Sequence, residues 1–147
     1  MEDECTAEDM RLAKSLNNLS VLGVRPVGAT LADRGAGYGC GDSSGTPYAS
    51  RTYRPADNTV TEVAEFYRHA APAAGWTLKD ADDIYPGQRV WYGARLCFSK
   101  SVDGVAVFLS VMFPGDFDDG PDDVLGPDPR DFSLDVSADP DGGYMSC

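Results

Sequence analysis

The chain has 147 residues and a net charge of −12, from 24 acidic against 12 basic side chains. Such a surplus repels phosphate backbones and anionic lipid, so nucleic-acid and membrane-surface partners are disfavoured, and solubility is its plain use. No apolar run approaches the roughly 18 residues of a spanning helix, so no direct membrane insertion of this segment is expected.

A chain of this length is expected to form a single domain, 1–147, that buries roughly two thirds of its unfolded surface. Sixteen glycines and ten prolines predict much turn and loop and modest helix content. The first segment, 1–22, reads as a short helix over about 6–19 with its lead-in. Thr6 and Asp9 have the spacing of an N-terminal cap, acids occupy the first turn, and Met10, Ala13, Leu16 and Leu19 follow at helical spacing. Val21, Leu22, Val24 and Val27, interrupted by Pro26, predict one short extended segment at a sheet edge. Residues 34–46 are glycine-rich and read as a loop around Cys40. A strand is predicted over 48–54, and 55–58 is the turn that follows it.

Residues 59–76 then specify the central helix. Thr59 and Glu62 make a capping box, and Val60, Val63, Ala64, Tyr67, Ala70, Ala71 and Ala74 recur every three or four residues on one stripe. Glu62, Glu65 and Arg68 face away, Pro72 disturbs the last turn, and Gly75 is suited to the left-handed end of the helix. Trp76 to Lys79 alternates as a strand, and a polar loop with a turn at Tyr85, Pro86 and Gly87 follows.

Strand 90–100 alternates with Tyr92, Ala94, Leu96 and Phe98 towards the helix, and Trp91, Arg95 and Cys97 away from it. Asp103-Gly104 is a strong hairpin signal. It leads into a strand with Val105, Val107, Leu109, Val111 and Phe113 on one side. Residues 114–130 form an acidic loop, and 132–138 alternate as the last strand. Strand, helix, then strands joined by short turns predict an α+β two-layer sandwich. Its antiparallel sheet of about four to six strands should carry the central helix, about 59–74, on one face.

Four cysteines, Cys5, Cys40, Cys97 and Cys147, are widely spaced and contain no Cys-x-x-Cys pair, and the only histidine is His69. This argues against a zinc site. Two disulfides allow three connectivities, of which Cys40 with Cys97 and Cys5 with Cys147 is favoured, each contributing roughly 4 kcal/mol. The alternative is four buried thiols in a cytosolic protein. Oxidised cysteines imply export, so a signal or membrane anchor preceding Met1 is expected.

Val24-Arg-Pro-Val-Gly-Ala-Thr30, the Glu62-Val63 and Phe66-Tyr67 pairs of the helix and the Gly75-Trp76 closure together resemble a small module of bacterial exported proteins and lipoproteins. The cysteines and the Asp-Gly-Gly run near the end are similar to uncharacterised actinobacterial envelope proteins. The match covers about 24–138, and this chain has Pro-Val-Gly where the module often has Pro-Gly. The resemblance implies an extracytoplasmic location and no catalytic or ligand-binding residues.

Several constellations echo known chemistry without completing it. Residues 40–47, around Ser43, echo the serine segment of chymotrypsin-like proteases, but the only histidine follows the serine and the chain is too short for two barrels. Ser43 reads as a turn residue and His69 as a helix residue beside Glu65. Asp116, Asp118, Asp119, Asp122 and Asp123 offer hard oxygens for calcium, yet 115–120 misses the alternating register of an EF-hand loop and reads as a solvated acidic loop. Tyr85, Arg89, Trp91 and Tyr92 form a candidate recognition surface. No catalytic, cofactor-binding or metal-ligating set is assigned. The function expected is a non-catalytic extracytoplasmic binding or sensor domain whose partner is a protein or envelope component. The alternatives are a carboxylate-based hydrolase and an acidic inhibitor or immunity-type protein that captures a basic partner.

Overall fold

In the computed structural model, which describes residues 5–40, 46–58, 60–81, 95–113 and 131–138, the first helix begins where the sequence places its cap. The Thr6 hydroxyl accepts from the Asp9 amide at 3.0 Å, and Asp9 accepts in return from the Thr6 amide. Helix α1 (Ala7–Asn17) buries Ala13 and Leu16. A 3-10 turn (Ser20–Gly23) follows, burying Val21 and Leu22. The short strand expected there is therefore a turn.

The larger correction concerns the glycine-rich stretch. It forms an 11-residue strand, β1 (Thr30–Cys40), where a loop is expected over its second half. Gly35, Ala36, Gly37 and Gly39 hide the alternation that marks a strand. A bulge between Leu31 and Ala36 shifts the register, with Arg34 at φ 55°. Gly35 permits it: a Cβ there would come within 2.6 Å of the Thr52 carbonyl oxygen and 2.7 Å of that of Ala32.

β2 (Pro47–Arg54) leads into helix α2 (Val60–Ala73). Val63, Ala64, Tyr67 and Ala71 are its buried stripe, as the periodicity predicts. Thr59 lies outside the described residues. The helix ends in a Schellman arrangement in which the Trp76 amide donates to the Ala71 carbonyl and the Gly75 amide to that of Pro72, both at 3.0 Å, with Gly75 at φ 95°.

β3 (Thr77–Ala81), β4 (Arg95–Val102), β5 (Val105–Met112) and β6 (Phe132–Ala138) complete the fold. The Asp103-Gly104 turn has positive φ at both residues, 53° and 82°, the geometry that suits a two-residue hairpin. The described strands form one antiparallel sheet of six in the order β1-β2-β6-β5-β4-β3. Helix α2 thus carries the chain from β2 to the opposite edge. Among the described strands both outermost ones are irregular, β1 through its bulge and β3 through a bulge beside Lys79.

Leu16 of α1, the α2 stripe and the inner residues of β2, β4, β5 and β6 form one apolar core. The fold is therefore the expected α+β sandwich with helices on one face. Phe132 is its hub, with ring centroids 5.8 Å from Tyr53, 5.7 Å from Tyr67 and 6.5 Å from Phe113.

The disulfides differ from the favoured connectivity. Cys5 bonds to Cys40, with Cα atoms 5.7 Å apart, and this pins the start of α1 to the end of β1. The reason is strand order. β1 and β4 are four strand spacings apart, about 19 Å at ~4.8 Å per spacing, which is beyond the roughly 7 Å limit for bridging Cα atoms. Cys40 therefore cannot reach Cys97, and Cys5 is not available to Cys147. Cys97 is disulfide-bonded as well.

Candidate functional site on the outer sheet face

A strand alternates between faces, so every residue that buries an inner side chain sends its neighbours outward. On β6 the inner set is Phe132, Leu134, Val136 and Ala138, all fully buried, and the outer set is Ser133, Asp135 and Ser137. Pairing extends this outer set sideways. Asp135 stands directly opposite Ser50 on β2 and Ser110 on β5, and Ser110 stands opposite Cys97 on β4. In the next row Thr52 and Ser133 share a hydrogen bond at 3.2 Å. On the other side Ser137 lies between Tyr48 and Phe108.

The centre of this face is therefore a carboxyl among hydroxyls. Ser50, Ser110, Ser133, Asp135 and Ser137 are all half-buried. Burial pushes the Asp135 carboxyl above its ordinary value, because the charged form is poorly solvated there. Two other outward acids among the described residues stand at a distance. Asp131 is four residues away along the chain, about 13 Å in extended geometry, and Asp80 is three strands away, about 14 Å. Paired carboxylates of glycoside hydrolases stand about 5–10 Å apart. Asp131 is moreover engaged: it is 2% exposed and accepts from Arg54 Nε at 3.2 Å and Nη2 at 3.4 Å.

No histidine stands beside these hydroxyls among the described residues. His69 lies on α2, on the other side of the sheet, with a side chain 82% exposed and its Nδ1 4.0 Å from the Glu65 carboxylate. That is the helix placement expected of it. Among the described residues, no three of His, Cys, Asp and Glu cluster to hold a metal ion. Also among the described residues, no helix is long and apolar enough to cross a membrane.

The expected recognition residues Tyr85, Arg89, Trp91 and Tyr92 lie outside the described residues, as do Ser43, Cys147 and the 114–130 segment. The cluster around Asp135 is absent from the sequence-based expectations. The alternation of 132–138 marks Asp135 as outward, but its neighbours come from strands 85 residues before and 25 residues before it, and those pairings depend on strand order. Compared with known proteins, the chain matches no family model and no curated sequence.

Proposed function

We propose that this chain is a non-catalytic extracytoplasmic binding or sensor domain that engages an envelope component through the outer face of its sheet. The observation that carries the reading is the hydroxyl-rich set around Asp135, with Ser50, Ser110, Ser133 and Ser137 offering hydrogen-bond donors and acceptors and no histidine beside them among the described residues. Half-buried polar groups on a rigid sheet suit recognition, because they are held in place before a ligand arrives. The Cys5–Cys40 disulfide, together with the oxidised Cys97, supports an oxidising compartment.

The raised Asp135 favours one second reading, a hydrolase with a single acid, since a desolvated carboxyl is a usual general acid. It lacks a partner carboxylate within reach among the described residues. Co-sedimentation of the purified chain with actinobacterial cell-wall sacculi separates the two. Saturable retention with the wall polymer unchanged supports the binding domain. Absence of retention, or release of wall fragments that depends on Asp135, overturns it.

A further inference from the structure

At the β3 end of the outer face, where β3, β4 and β5 meet the 103–104 turn, lies an open groove of about 670 Å³ lined chiefly by Thr77, Lys79, Ser99, Lys100, Ser101 and Phe108. Register explains the grouping: Thr77 stands opposite Ser99, Ser99 opposite Phe108, and Ser101 opposite Ala106. The groove is thus continuous with the row that holds Ser137 and Tyr48, one row from Asp135.

Its charge runs against that of the chain. Acids outnumber bases 24 to 12, yet among the described residues the groove is lined by two lysines and no acid. Lys100 stands opposite Val107 on the helix side of β4, so its ammonium lies at the rim: it donates to the Ala74 carbonyl at the end of α2, at 3.1 Å, and stands 5.8 Å from the centroid of the Trp76 ring. One of its three protons is engaged there. Gly75 lies against this side chain, a Cβ there being 3.4 Å from Lys100 Cε and Nζ. The Lys79 side chain is exposed.

We infer that this groove binds a glycan unit that carries an oxyanion, either a carboxylate or a phosphate. The exposed Lys79 ammonium answers the oxyanion, with the Lys100 ammonium adding positive charge from the helix side of the rim, the hydroxyls of Thr77, Ser99 and Ser101 answer sugar hydroxyls, and the half-buried Phe108 ring offers an apolar surface to the C–H face of a sugar. An open groove accommodates one unit of an extended polymer better than a small molecule that must be enclosed. The described lining also lacks the buried aromatic and arginine anchors on which protein partners depend. The inference rests on the binding-domain reading and specifies the ligand for one end of the same face.

The test is a titration of the isotope-labelled chain, followed by amide chemical shifts, with glucuronic acid, glucose 1-phosphate, glucose and triglutamate. The expected result is saturable shifts at Thr77, Lys79, Ser99, Lys100 and Gly104 with glucuronic acid or glucose 1-phosphate, the tighter of the two identifying the oxyanion. Lys79→Ala/Lys100→Ala should weaken binding by up to about tenfold, two exposed charges being worth up to about that factor, and added salt should weaken the wild type likewise. Lys79→Arg/Lys100→Arg should retain most of it. Unchanged shifts elsewhere confirm that the variants are folded. Equal binding of glucose, equal or tighter binding of triglutamate, or no shifts with millimolar probes overturns the inference. Sacculus retention by the double alanine variant equal to that of the wild type overturns the groove alone, whereas loss of retention by the wild type overturns the binding-domain reading.

Discussion

The Tyr67 hydroxyl donates to the Val24 carbonyl at 2.6 Å, so that the central helix holds the segment leading into the edge strand. Two residues earlier, the Leu22 carbonyl accepts from the Tyr53 hydroxyl of β2. Arg25 adds a third tie, donating to the Ala29 carbonyl at 3.1 Å with its guanidinium 5.2 Å from the Tyr53 ring centroid. An irregular segment is thereby fixed from both layers. Tyr67→Phe and Tyr53→Phe should each cost about 1–2 kcal/mol in urea unfolding, since each leaves a carbonyl short of a partner. The double variant should depart from the sum, because both act on one short segment. Strict additivity would show that the two ties are independent.

Tyr67 also predicts a dependence on alkali. Burial, with a smaller push from Tyr53, raises its phenol far above the ordinary value of 10.0, against a lowering by Arg25. Above about pH 10 the unfolded phenol ionises while the folded one keeps its proton, so the folded state binds more protons and stability falls as pH rises. The wild type should lose stability over that range more steeply than Tyr67→Phe. Parallel slopes would show that the phenol is not the group responsible.

Gly75 makes a sharper local prediction. At φ 95° other residues are strained, and a Cβ there would lie against the Lys100 side chain. Gly75→Ala should cost about 1 kcal/mol or more in thermal unfolding and should shift the Lys100 environment. A neutral outcome would mean that the Schellman turn relaxes without loss.

These local devices are what the sequence makes legible. The Thr6 and Asp9 cap, the stripe of α2, its Gly75-Trp76 end and the Asp103-Gly104 hairpin each lie within a few residues of chain, and each stands where its spacing puts it. Non-local features are different. Helix α2 takes the chain from β2 to the far edge of the sheet, and nothing in the spacing of Cys40 and Cys97 records that they end four strands apart. β1 is hidden because Gly35, Gly37 and Gly39 interrupt any alternation. Asp135 is visible as an outward residue, but Ser50 and Ser110 become its neighbours only through the strand order.

The Cys5–Cys40 bridge closes a loop with a sequence separation of 35. In the chain-entropy model that constraint is worth roughly 4 kcal/mol. Cys5→Ser/Cys40→Ser should lower stability by up to that amount and should loosen α1 first, which hydrogen exchange at Ala13 and Leu16 would register. Peptide mapping without reduction should recover a fragment joining the sequences around Cys5 and Cys40. A fragment joining Cys40 to Cys97 would contradict the strand order itself.

Asp135 gives the prediction most closely tied to function. Its folded carboxyl titrates above the ordinary range because burial disfavours the charge. Between the unfolded and folded values the folded state therefore binds more protons, and this group's contribution to stability rises as pH falls through the folded value, levelling below the unfolded one. Asp135→Asn removes the charge at little change in shape. It should be more stable than the wild type at pH 7, and the difference should shrink as the solution is brought below the ordinary carboxylate range, near about 3.9. Urea unfolding of the two proteins at several pH values measures this, and comparing them cancels the titration of the other acids. The same variant should bind sacculi more weakly, because a charge kept in a poorly solvated place at neutral pH is the mark of a group held for recognition. If Asp135→Asn is instead destabilised equally at every pH and binds as before, the carboxyl serves as a hydrogen-bond partner of Ser50 and Ser110, and recognition lies elsewhere on the sheet.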